Sequence, residues 1–478
     1  MNILFASSEV APFIKSGGLA DVAGSLPQAL AQMGHDVRVI LPLYERIGQQ
    51  WRDQMNFLQC FHVHLAWRTP YCGLFELKKD GVTYYFVDNE HYFKRYDIYG
   101  HYDDAERFAF FSRAVIETPG HLGFHPDVIH CNDWETALVP IYLLSEREKV
   151  PELAGTKSVY TIHNIEYQGR YCRDLLEDLF GLPTAYFTEK FLAYYGDVNL
   201  MKGAIYAADY VTTVSPTYAQ ELCYPFYAHG LEGVIAENAH KLRGILNGLD
   251  VKRYDPWHDK GLAKLYNAKQ LAGKKACKAK LQEMSGLTVD PNVPVVACVS
   301  RLASHKGFDL VIEALPDIMD LGVQMVVLGT GEWRYEEAFR NAAWQYPNRF
   351  SAQIMYSDAF STAIYGGADL FLMPSVAEPC GLSQMIAMRY GTLPVVRETG
   401  GLKDSVIPYN QYTGEGTGFS FSNIEKGDLL WALRRAVGLY REEPKTWKAL
   451  QKNAMTADFS WDRSARDYEE VYNWVTGK

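Results

Sequence analysis

The sequence predicts an α/β protein built from two doubly wound domains, and three observations lead to this prediction. Short apolar runs alternate with amphipathic helical stretches, a pattern typical of mainly parallel sheets covered by helices on both faces. The chain has 478 residues, which is too long for a single core. The alternation stops at a lysine-rich stretch and then starts afresh. We therefore predict a first domain over residues 1–250 and a second over 251–455.

The first half begins with a strand, Ile3–Ala6, that leads to a helix from Leu19 to about Met33. This helix places its apolar residues at helical spacing on one face. A more β-rich region follows, and further α/β units come after it. The later strands predicted for this half are Val37–Leu41, Phe61–Leu65, Gly73–Leu77, Thr83–Val87, Val128–His130, Ser158–Ile162, Tyr210–Val214 and Gly244–Gly248.

The second half begins with a charged helical stretch from Lys260 to about Glu283. Five predicted strands follow, each with a helix after it: Val293–Val299, Val323–Leu328, Phe350–Met355, Asp369–Met373 and Leu393–Val396. Ligands of such sheets bind at the carboxyl ends of the strands. With two such domains, we expect the ligand in the cleft between them.

The composition excludes several classes of function. A net charge of −10 argues against a surface for duplex nucleic acid, which needs clustered cations. The eight cysteines are scattered singly without C-x-x-C spacing, so we expect neither a disulfide framework nor a zinc site, and a reducing cytoplasm fits. We also predict no signal peptide and no membrane-spanning segment.

A glycine-rich loop follows the first predicted strand. Lys15 precedes Gly17 and Gly18, and the first helix begins directly after them. Paired glycines let the backbone approach a bulky ligand, and a helix start presents N–H groups with partial positive charge. With the charge of Lys15, this loop suits a phosphate group. A tight turn with a solvated lysine would show the same pattern, so the other loops of the sequence are needed to distinguish the two interpretations.

Two loops of the second half repeat this theme at predicted strand ends, and a third loop carries a carboxylate. Arg301 and Lys306 flank the turn after the first strand, where two cations above a helix start suit a diphosphate. Glu378 precedes another helix, either as a capping charge or as a ligand for sugar hydroxyls. Gly400 and Gly401 form a second strand–Gly–Gly–helix turn. An isolated surface Arg/Lys pair is common, but three phosphate-friendly turns, counting the loop of Lys15, together with a carboxylate at strand ends favour a site for a phosphate-containing ligand.

In the first half, Asp133 and His163 follow the strands at Val128–His130 and Ser158–Ile162. A lone histidine is usually structural, and only its position at a strand end makes His163 a candidate.

These motifs together resemble the glycogen/starch synthase family. The matches follow one another in order over almost the full length. They lie at residues 15–22 (KSGGLADV), 130–134 (HCNDW), 161–164 (TIHN), 214–218 (VSPTY), 247–250 (NGLD), 300–307 (SRLASHKG), 378–382 (EPCGL) and 399–402 (TGGL).

The resemblance implies a GT-B fold, with two Rossmann-like domains facing across a cleft and a C-terminal helix, within 456–478, crossing back to the first domain. It also implies transfer of glucose from ADP-glucose to the non-reducing end of an α-1,4-glucan with the anomeric configuration retained. No metal and no further cofactor is expected. Front-face displacement and a covalent intermediate both remain open as routes to retention.

The resemblance also implies roles for individual residues. Lys15 and the Gly17 and Gly18 amides would contact the diphosphate, and Arg301 and Lys306 would bind the leaving phosphate. Glu378 would hold glucose hydroxyls, His163 would lie beside the anomeric carbon, and Asp133 would share its pocket. Tyr356 would stack on the nucleotide base, and amides at Gly400, Gly401 and Leu402 would complete the diphosphate site. The remaining donor-binding residues would be Asp21, Asn247, Cys380, Gly381 and Thr399.

The sequence departs from the family pattern at three places, and several other functions would have signatures of their own. Glu135 follows Trp134 where relatives commonly have His, and Val376–Ala377 and Thr362–Ala363 are also unusual. A sucrose-forming enzyme would carry a second Glu at the position of Ile386. A nicotinamide dehydrogenase would need a full G-x-G-x-x-G after a strand, which is lacking. A UDP-glucose-dependent transferase, a glucan phosphorylase-like enzyme and a silent glucan-binding protein complete the alternatives.

Overall fold

The computed structural model describes residues 1–478, and the chain divides into two compact units. Unit 1 holds Met1–Gly248 together with Trp461–Lys478, and unit 2 holds Leu249–Ser460. The C-terminal segment therefore belongs to the same unit as the N-terminus. No helix in the chain combines the length and the apolar character that crossing a membrane would require.

Unit 1 contains twelve strands, which are β1 (Asn2–Ala6), β2 (Asp36–Pro42), β3 (Asn56–His62), β4 (Tyr71–Lys79), β5 (Val82–Asp88), β6 (Val128–Asn132), β7 (Lys157–Ile162), β8 (Arg170–Cys172), β9 (Ala193–Tyr194), β10 (Asp197–Asn199), β11 (Tyr210–Thr213) and β12 (Leu242–Gly244). Its first ten helices are α1 (Gly18–Gln32), α2 (Gln49–Arg52), α3 (Glu90–Phe93), α4 (Asp104–Leu122), α5 (Leu138–Glu146), α6 (Leu175–Asp178), α7 (Leu200–Ala207), α8 (Pro216–Glu221), α9 (Pro225–Ala228) and α10 (Glu232–Glu237).

Nine of these strands form one sheet in the order β12-β11-β7-β6-β1-β2-β5-β4-β3. The pairings from β12 to β5 are parallel, whereas β3, β4 and β5 pair in antiparallel fashion. The chain runs outward in one direction from β1 and in the other from β6, so the topological switch point lies between β1 and β6. A ligand crevice is expected at the carboxyl ends of these strands.

Two predicted strands of unit 1 lie at other residues, and one sheet was not predicted. The run predicted at Gly244–Gly248 overlaps β12 only at Gly244, because the residues of β12 are only partly buried and lack a continuous apolar run. The strand predicted at Phe61–Leu65 lies earlier, at Asn56–His62, because this edge strand exposes most of its side chains and Phe61 is its only buried residue. The short antiparallel sheet β8-β10-β9 was not predicted at all. Strands of two or three residues carry too little apolar periodicity to be recognised.

Unit 2 contains six strands, which are β13 (Val295–Val299), β14 (Gln324–Leu328), β15 (Phe350–Gln353), β16 (Leu370–Met373), β17 (Leu393–Arg397) and β18 (Phe419–Phe421). Its helices are α11 (Ala272–Met284), α12 (Phe308–Asp320), α13 (Trp333–Gln345), α14 (Asp358–Gly367), α15 (Ser383–Arg389), α16 (Gly400–Ser405), α17 (Lys426–Glu442) and α18 (Pro444–Thr456).

The sheet of unit 2 is entirely parallel, in the order β15-β14-β13-β16-β17-β18. Its switch point lies between β13 and β16. The helix predicted from Lys260 is wrong at its start, because α11 begins only at Ala272. The preceding turns are fixed by Tyr266, whose buried hydroxyl donates to the carbonyls of Gly366 and Tyr390 at 3.1 and 2.8 Å.

The last helix, α19 (Trp461–Thr476), packs on unit 1 against α1. The fully buried His130 at the centre of the large sheet bonds through Nδ1 to the Tyr472 hydroxyl at 2.7 Å and through Nε2 to Thr161 Oγ1 at 2.6 Å. On the surface, Arg243 bonds Asp467 at 2.6 Å. The sequence resemblance predicted that the C-terminal helix returns to the first Rossmann-like unit, and this is confirmed.

Candidate functional site

The loop after β1 carries the first group of predicted site residues. Lys15 is partly exposed and forms a salt bridge of 2.7 Å with Asp21, in the first turn of α1. The Gly17 N–H donates to the Glu9 carboxylate at 3.2 Å. A Cβ added to Gly18 would meet no heavy atom within 4 Å, so open space lies in front of the start of α1.

Glu9 is a residue of this loop that the sequence reasoning missed. Its side chain is buried, at 3% exposure, and accepts hydrogen bonds from three residues of unit 1. Burial raises the pKa of this carboxyl, while the hydrogen bonds from Ser16, Gly17 and Tyr99 oppose the rise. The only signal in the sequence is a lone acidic residue between a buried strand and a glycine-rich turn.

Asp133 lies directly after β6, next to the switch point. Its backbone has a φ of 54°, a left-handed conformation that is unusual for a residue other than glycine. Its Oδ1 accepts the backbone N–H of His163 at 2.7 Å and that of Asn164 at 3.4 Å. Burial raises the pKa of the Asp133 carboxyl to about 7 against these two hydrogen bonds, and the charge of Glu9 adds to the rise.

His163 follows β7, and its contacts define which nitrogen carries the proton. The Asn132 side-chain amide donates to the Ala6 carbonyl at 2.9 Å, so its Oδ1 must act as an acceptor. That oxygen lies 2.9 Å from His163 Nε2, which therefore carries the hydrogen. Burial lowers the pKa of His163 to about 3. The ring is neutral at physiological pH, and its Nδ1 holds the lone pair.

Asn247 lies after β12 at the same edge of the sheet. Its side chain is buried, and its Oδ1 has no hydrogen-bond partner within the protein. A buried polar atom without a partner is uncommon in folded proteins and is expected to be satisfied by a ligand or water.

In unit 2, the loops after β13 and β16 meet beside the switch point. The Lys306 ammonium lies 2.7 Å from Glu378 Oε2, which also accepts the Ser375 hydroxyl at 3.0 Å. Both partners of this carboxylate come from loops that the sequence predicted to lie at strand ends. Arg301 lies in the same loop as Lys306, is exposed and forms no salt bridge.

The glycine turn after β17 packs directly against the loop of Glu378. A Cβ on Gly400, whose φ is 42°, would lie 2.0 Å from the Glu378 carbonyl oxygen. The Gly401 N–H donates to the carbonyls of Glu378 and Pro379, each at 3.2 Å. Close contact between two backbone segments therefore explains these glycines, and the Gly401 amide is already bonded within the protein.

The remaining predicted donor residues of unit 2 lie around these loops. Cys380 and Thr399 are buried, Gly381 has a φ of 71°, and Leu382 directly precedes α15. Tyr356 is 83% exposed beyond the end of β15, and its hydroxyl bonds Asp358 at 3.0 Å. No group of three or more His, Cys, Asp and Glu side chains is arranged to hold a metal ion.

Glu135 is the departure from the family pattern that lies nearest these residues. Its side chain is 5% exposed, and Oε2 has no hydrogen-bond partner. Burial raises the pKa of this carboxyl well above its ordinary value, and the nearby charge of Asp133 raises it further. Both effects favour the protonated form of Glu135.

Comparisons with known proteins give a consistent result over the whole chain. A family model described as the starch synthase catalytic domain matches residues 2–237, and one described as glycosyl transferases group 1 matches residues 280–454. A glycogen synthase of Geobacillus thermodenitrificans is 48% identical over 478 residues, which is all of this chain and 98% of the relative. A glycogen synthase of Clostridium novyi is 46% identical over the full length of both chains.

Solved structures agree with these relatives. The catalytic domain of starch synthase IV from Arabidopsis thaliana, bound to ADP and acarbose, is similar with a TM-score of 0.91 and 35% identity, covering 100% of this chain and 99% of that one. A sucrose-phosphate synthase from Thermosynechococcus elongatus, at 17% identity and a TM-score of 0.62, shares the fold. The chain therefore belongs to the glycogen and starch synthase family of GT-B glycosyltransferases.

Proposed function

We propose that this glycosyltransferase moves glucose from ADP-glucose to the non-reducing end of an α-1,4-glucan, retaining the anomeric configuration and using no metal. The observation that carries the proposal is the location of the predicted donor residues. In each unit, they lie in loops that follow parallel strands, at the edge where ligands of parallel sheets bind. The similar starch synthase IV was solved with ADP and acarbose, which fits a nucleotide donor and a glucan acceptor.

In this proposal, cations and backbone dipoles stabilise the leaving diphosphate. Breaking the glycosyl–phosphate bond builds negative charge on the phosphate oxygens. Lys15 and the start of α1 supply positive charge in unit 1, with the Gly17 and Gly18 amides. Arg301 and Lys306 supply it in unit 2, together with the amides at 400–402. Fixed positive charges of this kind replace the divalent ion that many phosphoryl-handling enzymes need.

The sugar is held by the polar groups at the same strand ends. Glu378, kept in place by Lys306 and Ser375, accepts hydrogen bonds from glucose hydroxyls. The neutral ring of His163 lies beside the anomeric carbon, where a protonated imidazole would repel the developing positive charge. Asp133 fixes this ring through the backbone of the 163–164 turn. Tyr356 stacks on the base, and Asn247, Asp21, Cys380, Gly381, Leu382 and Thr399 complete the donor site.

We place the reaction in the cytoplasm, because all eight cysteines are free thiols, as expected in a reducing compartment. The relevant polymer would then be an intracellular store of glucan.

A donor panel tests the proposal. The protein is incubated with a glycogen primer and labelled ADP-, UDP- or GDP-glucose, with and without a chelator. We expect label transfer from ADP-glucose that the chelator does not reduce, and complete release of the label by an enzyme specific for terminal α-1,4 bonds. Transfer from UDP-glucose alone would contradict the donor assignment. Release of glucose 1-phosphate from glycogen and free phosphate would indicate a phosphorylase.

A further inference from the structure

We infer that Glu9 is a positioning residue for donor binding, whose buried carboxylate holds the Ser16–Gly17 backbone so that Lys15 and Gly18 are presented at the open start of α1. The inference rests on the proposed function, since it concerns the loop that we propose to contact the diphosphate. No contact between Glu9 and the donor is required.

The Glu9 carboxylate bonds the residues just before α1 and one tyrosine hydroxyl. Oε2 accepts the backbone N–H groups of Ser16 and of Gly17, the latter at 3.2 Å. Oε1 accepts the Ser16 hydroxyl at 3.0 Å and the Tyr99 hydroxyl at 3.3 Å. No Lys, Arg or His forms a salt bridge with this carboxylate. Backbone and hydroxyl dipoles therefore stabilise its charge, together with the amino terminus of α1.

The arrangement differs from ordinary helix capping in one respect that matters for a ligand. The cap position of α1 is Gly17, which has no side chain to bond the first turn. Glu9 bonds the amides just before α1 from the protein interior, where it is 3% exposed, while the side chain of Lys15 is 40% exposed. A Cβ added to Gly17 would lie 3.8 Å from Glu9 Oε1, whereas a Cβ added to Gly18 would meet no heavy atom within 4 Å. The carboxylate therefore orders the loop from the side of Gly17 and leaves the space beside Gly18 free.

The charge of Glu9 also reaches the neighbouring strand ends. It raises the pKa values of Asp133, Glu135, Tyr44 and Tyr99. Among the other charged groups, Asp104 acts on Glu135 and Tyr44, and Arg107 acts on Tyr44. Within the set, Asp133 raises the pKa of Glu135, and Glu135 raises those of Tyr44 and Tyr99. Removing the charge of Glu9 therefore lowers the pKa of Asp133. This change shifts the pH dependence of the activity, which a purely structural role for Glu9 would not do.

The test compares Glu9→Gln with a matched control in the same unit. Glutamine has nearly the same shape but carries no charge. Its single oxygen can accept the two N–H groups that Oε2 accepts, but these bonds are no longer charge-assisted, and its NH2 group replaces the Oε1 acceptor of the Ser16 and Tyr99 hydroxyls. We expect the KM for ADP-glucose to rise about tenfold, because hydrogen bonds to a charged group are stronger than neutral ones, with the KM for glycogen unchanged. The acidic limb of kcat should move to lower pH.

The control is Asp209→Asn. Asp209 accepts the backbone N–H and the hydroxyl of Ser158 at 2.8 and 3.0 Å, the same pattern that Glu9 makes with Ser16, but at the start of β7. We expect this variant to leave the donor KM and the pH profile unchanged. If Glu9→Gln does not fold, Ser16→Ala, which removes only the hydroxyl bond to Oε1, should still raise the donor KM about threefold.

An unchanged donor KM in folded Glu9→Gln would overturn the inference. Equal increases of the donor KM in Glu9→Gln and Asp209→Asn would also overturn it, because they would indicate general damage to unit 1. A wild-type protein that does not use ADP-glucose would instead contradict the proposed function, and the donor panel detects this before any variant is made.

Discussion

Replacing Lys306 by methionine should damage unit 2 in two separable ways. Lys306 and Ser375 both donate to the Glu378 carboxylate, whose side chain is 9% exposed. After the change, Ser375 remains of these two donors. Removing one partner of a fully buried ion pair costs about 3–5 kcal/mol. Because Lys306 is itself 17% exposed and Ser375 still donates, we expect a loss in the free energy of unfolding near the lower end, about 3 kcal/mol.

The same change should also slow transfer. Removing one fixed group that stabilises charge in the transition state costs about 100- to 1,000-fold in kcat, so we expect a loss of this size in label transfer from ADP-glucose to glycogen. Denaturant unfolding and the transfer assay are run on Lys306→Met, on Lys306→Arg and on the double variant Lys306→Met with Glu378→Gln. The double variant should regain most of the stability, because no buried charge is left unpaired, but no activity.

Lys306→Arg retains the charge and should keep more activity than Lys306→Met. The reasoning fails if Lys306→Met transfers glucose at a rate close to that of the wild type, or if the double variant is as unstable as the single one.

Three further changes have defined outcomes. The raised pKa of Asp133, about 7, predicts that kcat falls as the pH drops through this value, because protonation removes the carboxylate that holds the 163–164 turn. Asp133→Asn should therefore be slow at every pH, with a kcat nearly independent of pH. An acidic limb that persists in this variant would contradict the assignment to Asp133. Tyr472→Phe removes the hydroxyl that bonds buried His130 and should cost about 1–3 kcal/mol in unfolding free energy, with earlier proteolysis of α19; unchanged denaturation would refute it. Gly400→Ala would place a Cβ 2.0 Å from a carbonyl oxygen and should lower both the melting temperature and kcat, whereas Gly427→Ala, in open space, should lower neither.

The parallel strands of both units could be predicted from the sequence because they are buried on both faces. The runs that form β13, β14 and β17 are almost uninterrupted apolar residues, and their observed bounds differ from the predicted ones by two residues or fewer. The exposed edge strand β3 and the short strands β8, β9 and β10 lack such a signal. The stretch from 260 to 271 has a helical composition, but the tertiary hydrogen bonds of Tyr266 override it.

The loops of the site could be predicted because they lie at strand ends, and the positions of strand ends follow from the strands. The sequence pairs Gly17–Gly18 and Gly400–Gly401 look alike, yet the first opens space before a helix and the second packs two backbone segments together. The bonding of the Gly17 amide to Glu9 and the neutral state of His163 depend on side chains that are distant in the sequence. No local pattern contains that information.

The central claim is that the loops proposed to bind the diphosphate, one set in unit 1 and one in unit 2, serve one transfer reaction. The most direct measurement is the initial rate of glucose transfer from ADP-glucose to glycogen by Lys15→Ala and by Lys306→Ala, each shown to be folded. We expect both variants to lose at least about 100-fold in kcat/KM. A Lys15→Ala variant that transfers glucose at the wild-type rate would contradict the claim.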